Sequence, residues 1–210
     1  MAEVVARMPA FPPGSRVLVT DVGSVKTTVV REIAPLVTSR GGVFIGSHPM
    51  AGSEKKGLCF AETDLFEKAA VILTPTEDGD PDDAPLRRLR DFWESLGGVV
   101  TLLPPERHDE LVGAISHLPH LVAAALSRSV LGRIPEAAAL SGGGFRDTTR
   151  VAGGPEAMWA GILSDNHLAV SEQLGELIRE LEMWKETLDT LDRDRLLSFL
   201  SEARALRTAL

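Results

Sequence analysis

The chain has 210 residues, 44% apolar and 25% charged, which is about one and a half typical domains of ordinary globular composition. Acidic residues outnumber basic ones by 30 to 22, and the net charge of −8 argues against general nucleic-acid binding, because neutralising phosphates needs clustered Lys and Arg. No apolar run approaches the roughly 18 to 20 residues of a membrane span, the N-terminus lacks a secretory pattern, and the single Cys59 excludes an internal disulfide and fits a cytoplasmic protein.

In chain order, a few helix-like residues run into Pro12-Pro13-Gly14 and then a buried strand, Arg16–Thr20. A helix is expected from about Ser24 to Ser39, a second strand over Gly42–Gly46 and a third over Ala70–Thr74. The acidic turn Thr76–Asp83 reads as a solvated loop with a helix N-cap rather than a metal site. Leu86, Leu89, Phe92, Trp93 and Leu96 mark one face of a helix that stops at Gly97-Gly98, and Val99–Leu103 is a fourth strand. Alternating strands and helices imply a parallel sheet in an α/β layer.

Pro104-Pro105 marks the expected boundary between a domain over 1–104 and an all-helical one over 105–210. Leu111, Ile115, Leu118, Val122 and Leu126 predict a largely buried helix, bent at Pro119, and Ser141–Phe145 a glycine-rich loop. Val170, Leu174, Leu177, Leu181, Trp184 and Leu188 repeat as an a/d stripe, which serves equally as intramolecular core or as a subunit interface.

Three polar segments interrupt this pattern. Asp21-Val22-Gly23-Ser24 follows a strand, where a small turn lets backbone approach a ligand and the next helix offers N–H groups to negative charge; it is equally an ordinary turn and cap. In Gly46–Lys55, His48 is a candidate base and Glu54 a residue that orients it or binds substrate, against the alternative of a capping histidine in a polar loop. The third segment pairs His117 and His120, three apart on a helix, with Arg146 and Arg150 beyond the glycines. Two histidines without further donors make a weak zinc motif, and no metal is expected. The arginines fit a forked carboxylate clamp or, on spacing alone, surface charge with Asp147 as partner.

The ordered segments TDVGSVK, GSHPMAGSEKKG, LFEKAAVILTP, HDELVGAISHLPH and GGGFRDTTRVAGGPEAMW resemble the prephenate dehydrogenase family, which includes arogenate and cyclohexadienyl dehydrogenases. The resemblance implies a partial Rossmann-like parallel sheet followed by an all-α dimerisation domain. It implies NAD or NADP as cofactor and oxidative decarboxylation of prephenate, with arogenate as the alternative substrate. His48 then matches the base on the ring hydroxyl, with Ser24 beside it near the hydroxyl and nicotinamide. Arg150 matches a carboxylate-gripping arginine, His120 a second active-site histidine, Glu54 a residue near the substrate side chain and Trp159 a pocket wall. Gly143 and Asp147 join the substrate set, Asp147 by fixing geometry around Arg150, while Asp21, Gly23 and Ser24 are assigned to the cofactor side. The resemblance also implies a homodimer. The family's glycine-rich pyrophosphate loop has no counterpart here, so the chain is expected to hold the substrate site and part of the cofactor site, or to be a non-catalytic dimeric ligand-binding module.

Overall fold

Strand and helix alternate through the first hundred residues because short β-branched runs are separated by amphipathic stretches of helical period. The computed structural model describes residues 2–12, 14, 17–52, 61–75 and 83–210. Glu54, Cys59 and most of the acidic turn lie outside them. The helix α1 (Ala2–Ala6) precedes β1 (Leu18–Val19), α2 (Thr27–Thr38), β2 (Val43–Phe44), β3 (Gly46–Pro49), β4 (Ala70–Thr74), α3 (Ala84–Ser95) and β5 (Val99–Leu102). β1 and β2 pair in parallel with Leu18 opposite Val43. β4 pairs in parallel with β5 and antiparallel with β3, His48 standing opposite Ile72. The α/β layer and its parallel pairs match the expectation. The difference is β3: Gly46–Pro49 reads as a polar loop but forms a strand, because β4 supplies the partner that its composition does not advertise.

Two apolar clusters flank these strands. Phe44 packs with Val5, Ile33 and Val37, whereas the next residue, Ile45, packs with Val71, Leu73, Leu86, Leu89 and Trp93. Adjacent residues of an extended chain point to opposite faces, which is how one segment serves both clusters. On α3 the buried positions are Leu86, Leu89 and Trp93, while Phe92 and Leu96 stay exposed. Truncating Leu86 to Ala would cost roughly 2–5 kcal/mol. α3 stops where expected: Gly97 adopts φ +86°, a conformation that disfavours any side chain.

Beyond Leu102 the described chain is helical: α4 (Pro105–Val112), a π-helical turn (Gly113–His117), α5 (Leu118–Leu131), α6 (Ala137–Leu140), α7 (Gly143–Thr149), a 3-10 turn (Arg150–Gly153), α8 (Glu156–Asp165), α9 (His167–Asp189) and α10 (Arg193–Thr208). Three expectations change here. The expected disruption at Pro119 takes the form of a π turn immediately before it, inside a helical run continuous from Pro105 to Leu131 in which the missing Pro119 N–H leaves one intrahelical bond unmade. The triple glycine is not a loop, since Gly142 is the N-cap of α7 and Gly143 begins the helix.

The third change concerns the buried face of this helical run, which is not the aliphatic stripe. Ile115 is exposed, and the residues turned inward include His108, Asp109, Val112, His117, His120 and Ala123. Pro105–Leu131 is also long and apolar enough to cross a membrane by length and composition alone, contrary to the reading of the sequence. Its four inward polar groups are buried in the fold.

The chain divides into two compact units, Met1–Val170 and Ser171–Leu210. The second holds most of α9 together with α10. There Trp184 meets Phe199 with ring centroids 5.1 Å apart, and Asp192 caps α10 by accepting from the Arg195 amide at 3.0 Å. Leu181 and Leu188 of the a/d stripe are exposed, as are Leu197, Leu200 and Leu206 of α10.

Candidate active site

β3 carries His48 into the first unit, and its neighbour Ser47 anchors it. The Ser47 amide donates to Asp21 Oδ1 at 3.2 Å, Trp93 Nε1 donates to Ser47 Oγ at 3.2 Å, and Thr20 Oγ1 lies 2.6 Å from the same oxygen. Asp21 also accepts from the Gly23 amide at 2.8 Å and pairs with Lys26, whose side chain is fully buried. Burial lowers the Lys26 pKa against the opposing pull of Asp21 and Asp109.

The amides that begin α2 are not open to an anion. Lys26 N and Thr27 N each donate at 2.8 Å to Asp109, a residue of α4. The negative charge expected at that helix start is thus supplied by a carboxylate of the same chain, which favours the turn-and-cap alternative there. Asp21 likewise turns its carboxylate to the interior rather than toward a ligand, and Gly23 donates its amide to that carboxylate.

His108 is fully buried, and its Nε2 lies 2.9 Å from His48 Nδ1; its own Nδ1 lies 2.8 Å from Asp109 Oδ1. Burial pushes the Asp109 carboxyl up, but hydrogen bonds from His108, the Thr27 side chain and the Lys26 and Thr27 amides outweigh it, so the group sits below its ordinary range. His48 is pushed down to about 3, first by burial and then by His108, Lys26 and His117, with Asp109 pulling the other way. Asn166 donates to the Asp109 carbonyl at 2.7 Å and lies 3.0 Å from His117 Nδ1. Burial lowers His117 to about 4.

A cleft of about 460 Å³ opens in front of His48, and Ser24, Ser116, Arg150, Met158 and Trp159 stand on its walls. The expected pocket residues Ser24, His48, Arg150 and Trp159 are therefore brought together. His120 stands behind the wall: its ring stacks on Trp159 with centroids 3.6 Å apart and planes at 10°. Burial lowers its pKa against a hydrogen bond to the Val151 backbone. Gly154 permits this arrangement, since a Cβ there would collide with Trp159 Nε1. Gly143 and Asp147 do not line the cleft. Both lie on the exposed helix α7, where the Arg150 amide donates to the Asp147 carbonyl. Glu54 lies outside the described residues. His108, Asp109 and Asn166 were missed as site residues. The signal was there for two of them: His108-Asp109 opens HDELVGAISHLPH, one of the segments that carry the resemblance.

The cleft lies beyond the carboxyl ends of the parallel strands β1 and β2, where open α/β sheets bind ligands. Its residues fit the nicotinamide end of a dinucleotide, with Ser24 on the wall. The pyrophosphate has no seat on α2, whose first amides Asp109 has taken. Among the described residues no group of three or more His, Cys, Asp or Glu is arranged to hold a metal ion.

Comparison with known proteins points to one family. Residues 2–102 match the prephenate dehydrogenase nucleotide-binding domain, and residues 104–202 the prephenate dehydrogenase dimerization domain. A Bacillus subtilis prephenate dehydrogenase is 35% identical over 196 residues, covering 92% of this chain and 52% of that protein. The chain thus spans about half the length of that relative. The crystal structure of Synechocystis arogenate dehydrogenase is 32% identical with a TM-score of 0.79, covering 98% of this chain and 72% of that one. The A. aeolicus prephenate dehydrogenase in complex with hydroxyphenyl propionate and NAD+ is 35% identical with a TM-score of 0.79, covering 91% and 66%. With both of the family's domains matched in order along one chain, and its fold shared with solved members, this chain belongs to the prephenate dehydrogenase family.

Proposed function

We propose that the chain carries the substrate side of an NAD- or NADP-dependent oxidoreductase site that decarboxylates prephenate oxidatively to 4-hydroxyphenylpyruvate. The observation that carries this reading is the convergence of His48, Ser24, Arg150 and Trp159 on one cleft. Arg150 holds a carboxylate of the substrate, the Trp159 indole packs against its ring, and Ser24 stands beside the reacting hydroxyl. With Nδ1 facing His108, Nε2 is the nitrogen His48 has left for that hydroxyl. It accepts the hydroxyl hydrogen bond and draws the proton as the carbinol carbon becomes carbonyl-like; the proton returns when the ring aromatises to a phenol. A bound nicotinamide supplies the hydride acceptor. Cleavage of the ring carboxylate releases carbon dioxide and leaves its electron pair in the ring, so positioning and one hydrogen bond are most of what the protein contributes.

The division at 104/105 assigns the cofactor side to the first part and the dimerising part to the second. We read the exposed leucines of α9 and α10 as the face through which two copies join. A monomer by light scattering at micromolar concentration would contradict that.

Calorimetric titration with hydroxyphenyl propionate, prephenate and arogenate tests the site. Prephenate is expected to bind, and His48→Asn and Arg150→Ala to weaken binding about tenfold each, equivalent to about 1.4 kcal/mol. Failure of all three ligands to bind contradicts the reading, and binding of arogenate alone exchanges the substrate. Reduced nicotinamide and carbon dioxide on adding NAD or NADP report turnover. Binding without turnover favours the ligand-binding module.

A further inference from the structure

Three buried groups stand in line behind the cleft, and the mechanism above uses only the first. They come from different elements: His48 from β3, and His108 and Asp109 from α4. His108, at 0% exposure, is fully enclosed, so the bonds it makes to His48 and to Asp109 are shielded from solvent. We propose that His108 is a positioning residue for His48: it fixes the tautomer that leaves His48 Nε2 bare toward the cleft, and it takes over the proton that His48 gains. This rests on the reading of His48 as acceptor for a cleft-bound hydroxyl.

The hydrogen positions follow from the donors around Asp109. Its Oδ1 accepts from the Lys26 amide and its Oδ2 from the Thr27 amide, so both oxygens act as acceptors. The ring nitrogen 2.8 Å from Oδ1 must then carry a hydrogen, which makes His108 Nδ1 a donor. In the neutral form that the proposal assigns to His108 the ring has one N–H, on Nδ1, and Nε2 is a bare acceptor. The nitrogen 2.9 Å away, His48 Nδ1, therefore donates to it. By the same rule His48 Nε2 carries no hydrogen and presents a lone pair.

The same line disposes of a proton. When Nε2 of His48 gains a proton, its Nδ1–H bond breaks as an N–H bond forms at His108 Nε2. One proton enters, one shifts, and no electrons are exchanged. The positive charge then lies on His108, against the Asp109 carboxylate, rather than on His48. The charged or titratable groups around His48 are Lys26, the N-cap of α2, His108 and Asp109 from α4, His117 from the π turn, and Arg150 on the same cleft. His108, Lys26 and His117 oppose a cation on His48, and Asp109 favours one. Two cationic rings 5.1 Å apart are disfavoured, so the pair holds at most one extra proton.

Long-range 1H–15N correlation spectra of the histidine-labelled chain test this directly without cofactor. The chain has five histidines, and His48→Gln and His108→Gln assign the two rings. At pH 7 both rings are expected neutral with hydrogen on Nδ1. His108→Phe removes the acceptor, and His48 should lose its exclusive Nδ1–H pattern. His108→Gln keeps an amide oxygen as acceptor and should restore that pattern, a rescue that a purely space-filling role for His108 does not produce. A wild-type His48 protonated on Nε2 overturns the proposal, as does an unchanged His48 pattern in a folded His108→Phe chain. Should His108→Phe fail to fold, the wild-type and His108→Gln spectra decide alone. Weak effects of His48→Asn on ligand binding, with the tautomers as stated, would instead remove the functional reading and leave the pairing intact.

Discussion

The Asp109 side chain reaches across 82 positions of sequence to Thr27, its Oδ2 accepting the Thr27 amide at 2.8 Å. This bond and its neighbour from Lys26 cap α2 from outside the helix, a role usually held by the residue just before it. The N-cap residue itself, Lys26, makes no side-chain cap bond. Asp109→Ala is therefore expected to destabilise the fold by about 2 kcal/mol, the loss of a cap plus buried donors left without partners. Asp109→Asn should cost less, because one amide oxygen remains to accept. Urea unfolding of the variants checks both, and an Ala variant as stable as wild type would contradict the capping role.

The Lys26–Asp21 pair makes a second prediction. Lys26 is fully buried, and its removal strands a buried carboxylate. Lys26→Met is expected to cost about 3–5 kcal/mol, whereas the double variant with Asp21→Asn should regain part of that loss. A double variant no better than Lys26→Met alone would show that the two side chains do not act as a pair.

Acid should weaken the fold before its carboxylates titrate. His48 and His117 are lowered by burial to about 3 and about 4 from an ordinary value of 6.5. Below pH 6.5 the unfolded chain takes up protons at these rings while the folded chain does not, so stability falls as pH falls. Each ring contributes up to about 1.4 kcal/mol per pH unit across its window. Asp109, lowered by its hydrogen bonds, adds a loss of the same sign at more acidic pH. Urea midpoints should drop between pH 7 and pH 5, and His117→Gln should flatten that slope. A midpoint independent of pH would contradict the neutral assignment of both rings.

Trp159 is placed to couple the cleft to His120, on which it stacks at 3.6 Å. Trp159→Ala should remove the aromatic wall and weaken binding of hydroxyphenyl propionate about tenfold, about 1.4 kcal/mol. Gly154→Ala should do the same by displacing the indole, without removing it. Wild-type affinity in both variants would place the ligand elsewhere.

How much of this was legible in the sequence depends on the separation of the contacts. α3 was readable because Leu86, Leu89 and Trp93 lie on one local helical face. His48 was readable as a site residue from its motif, but its strand was not, since β3 exists only through pairing with β4. His108 and Asp109 look like ordinary solvated residues of a polar helix start. What makes them buried is a contact 60 residues away with His48 and one 82 away with Thr27. The reverse error came from Ile115 and its stripe: Ile115, within the π turn, is exposed, and the other four positions are only half-buried. Local period therefore located elements, and it failed where a polar face was buried through distant partners.

The central claim is that His48 offers a bare Nε2 to a hydroxyl bound in the cleft, and the most direct measurement is the 15N spectrum of His48 as hydroxyphenyl propionate is titrated into the chain. The Nε2 resonance of His48 is expected to shift on saturation while its hydrogen stays on Nδ1. Saturable binding that leaves the His48 Nε2 resonance unmoved would contradict it.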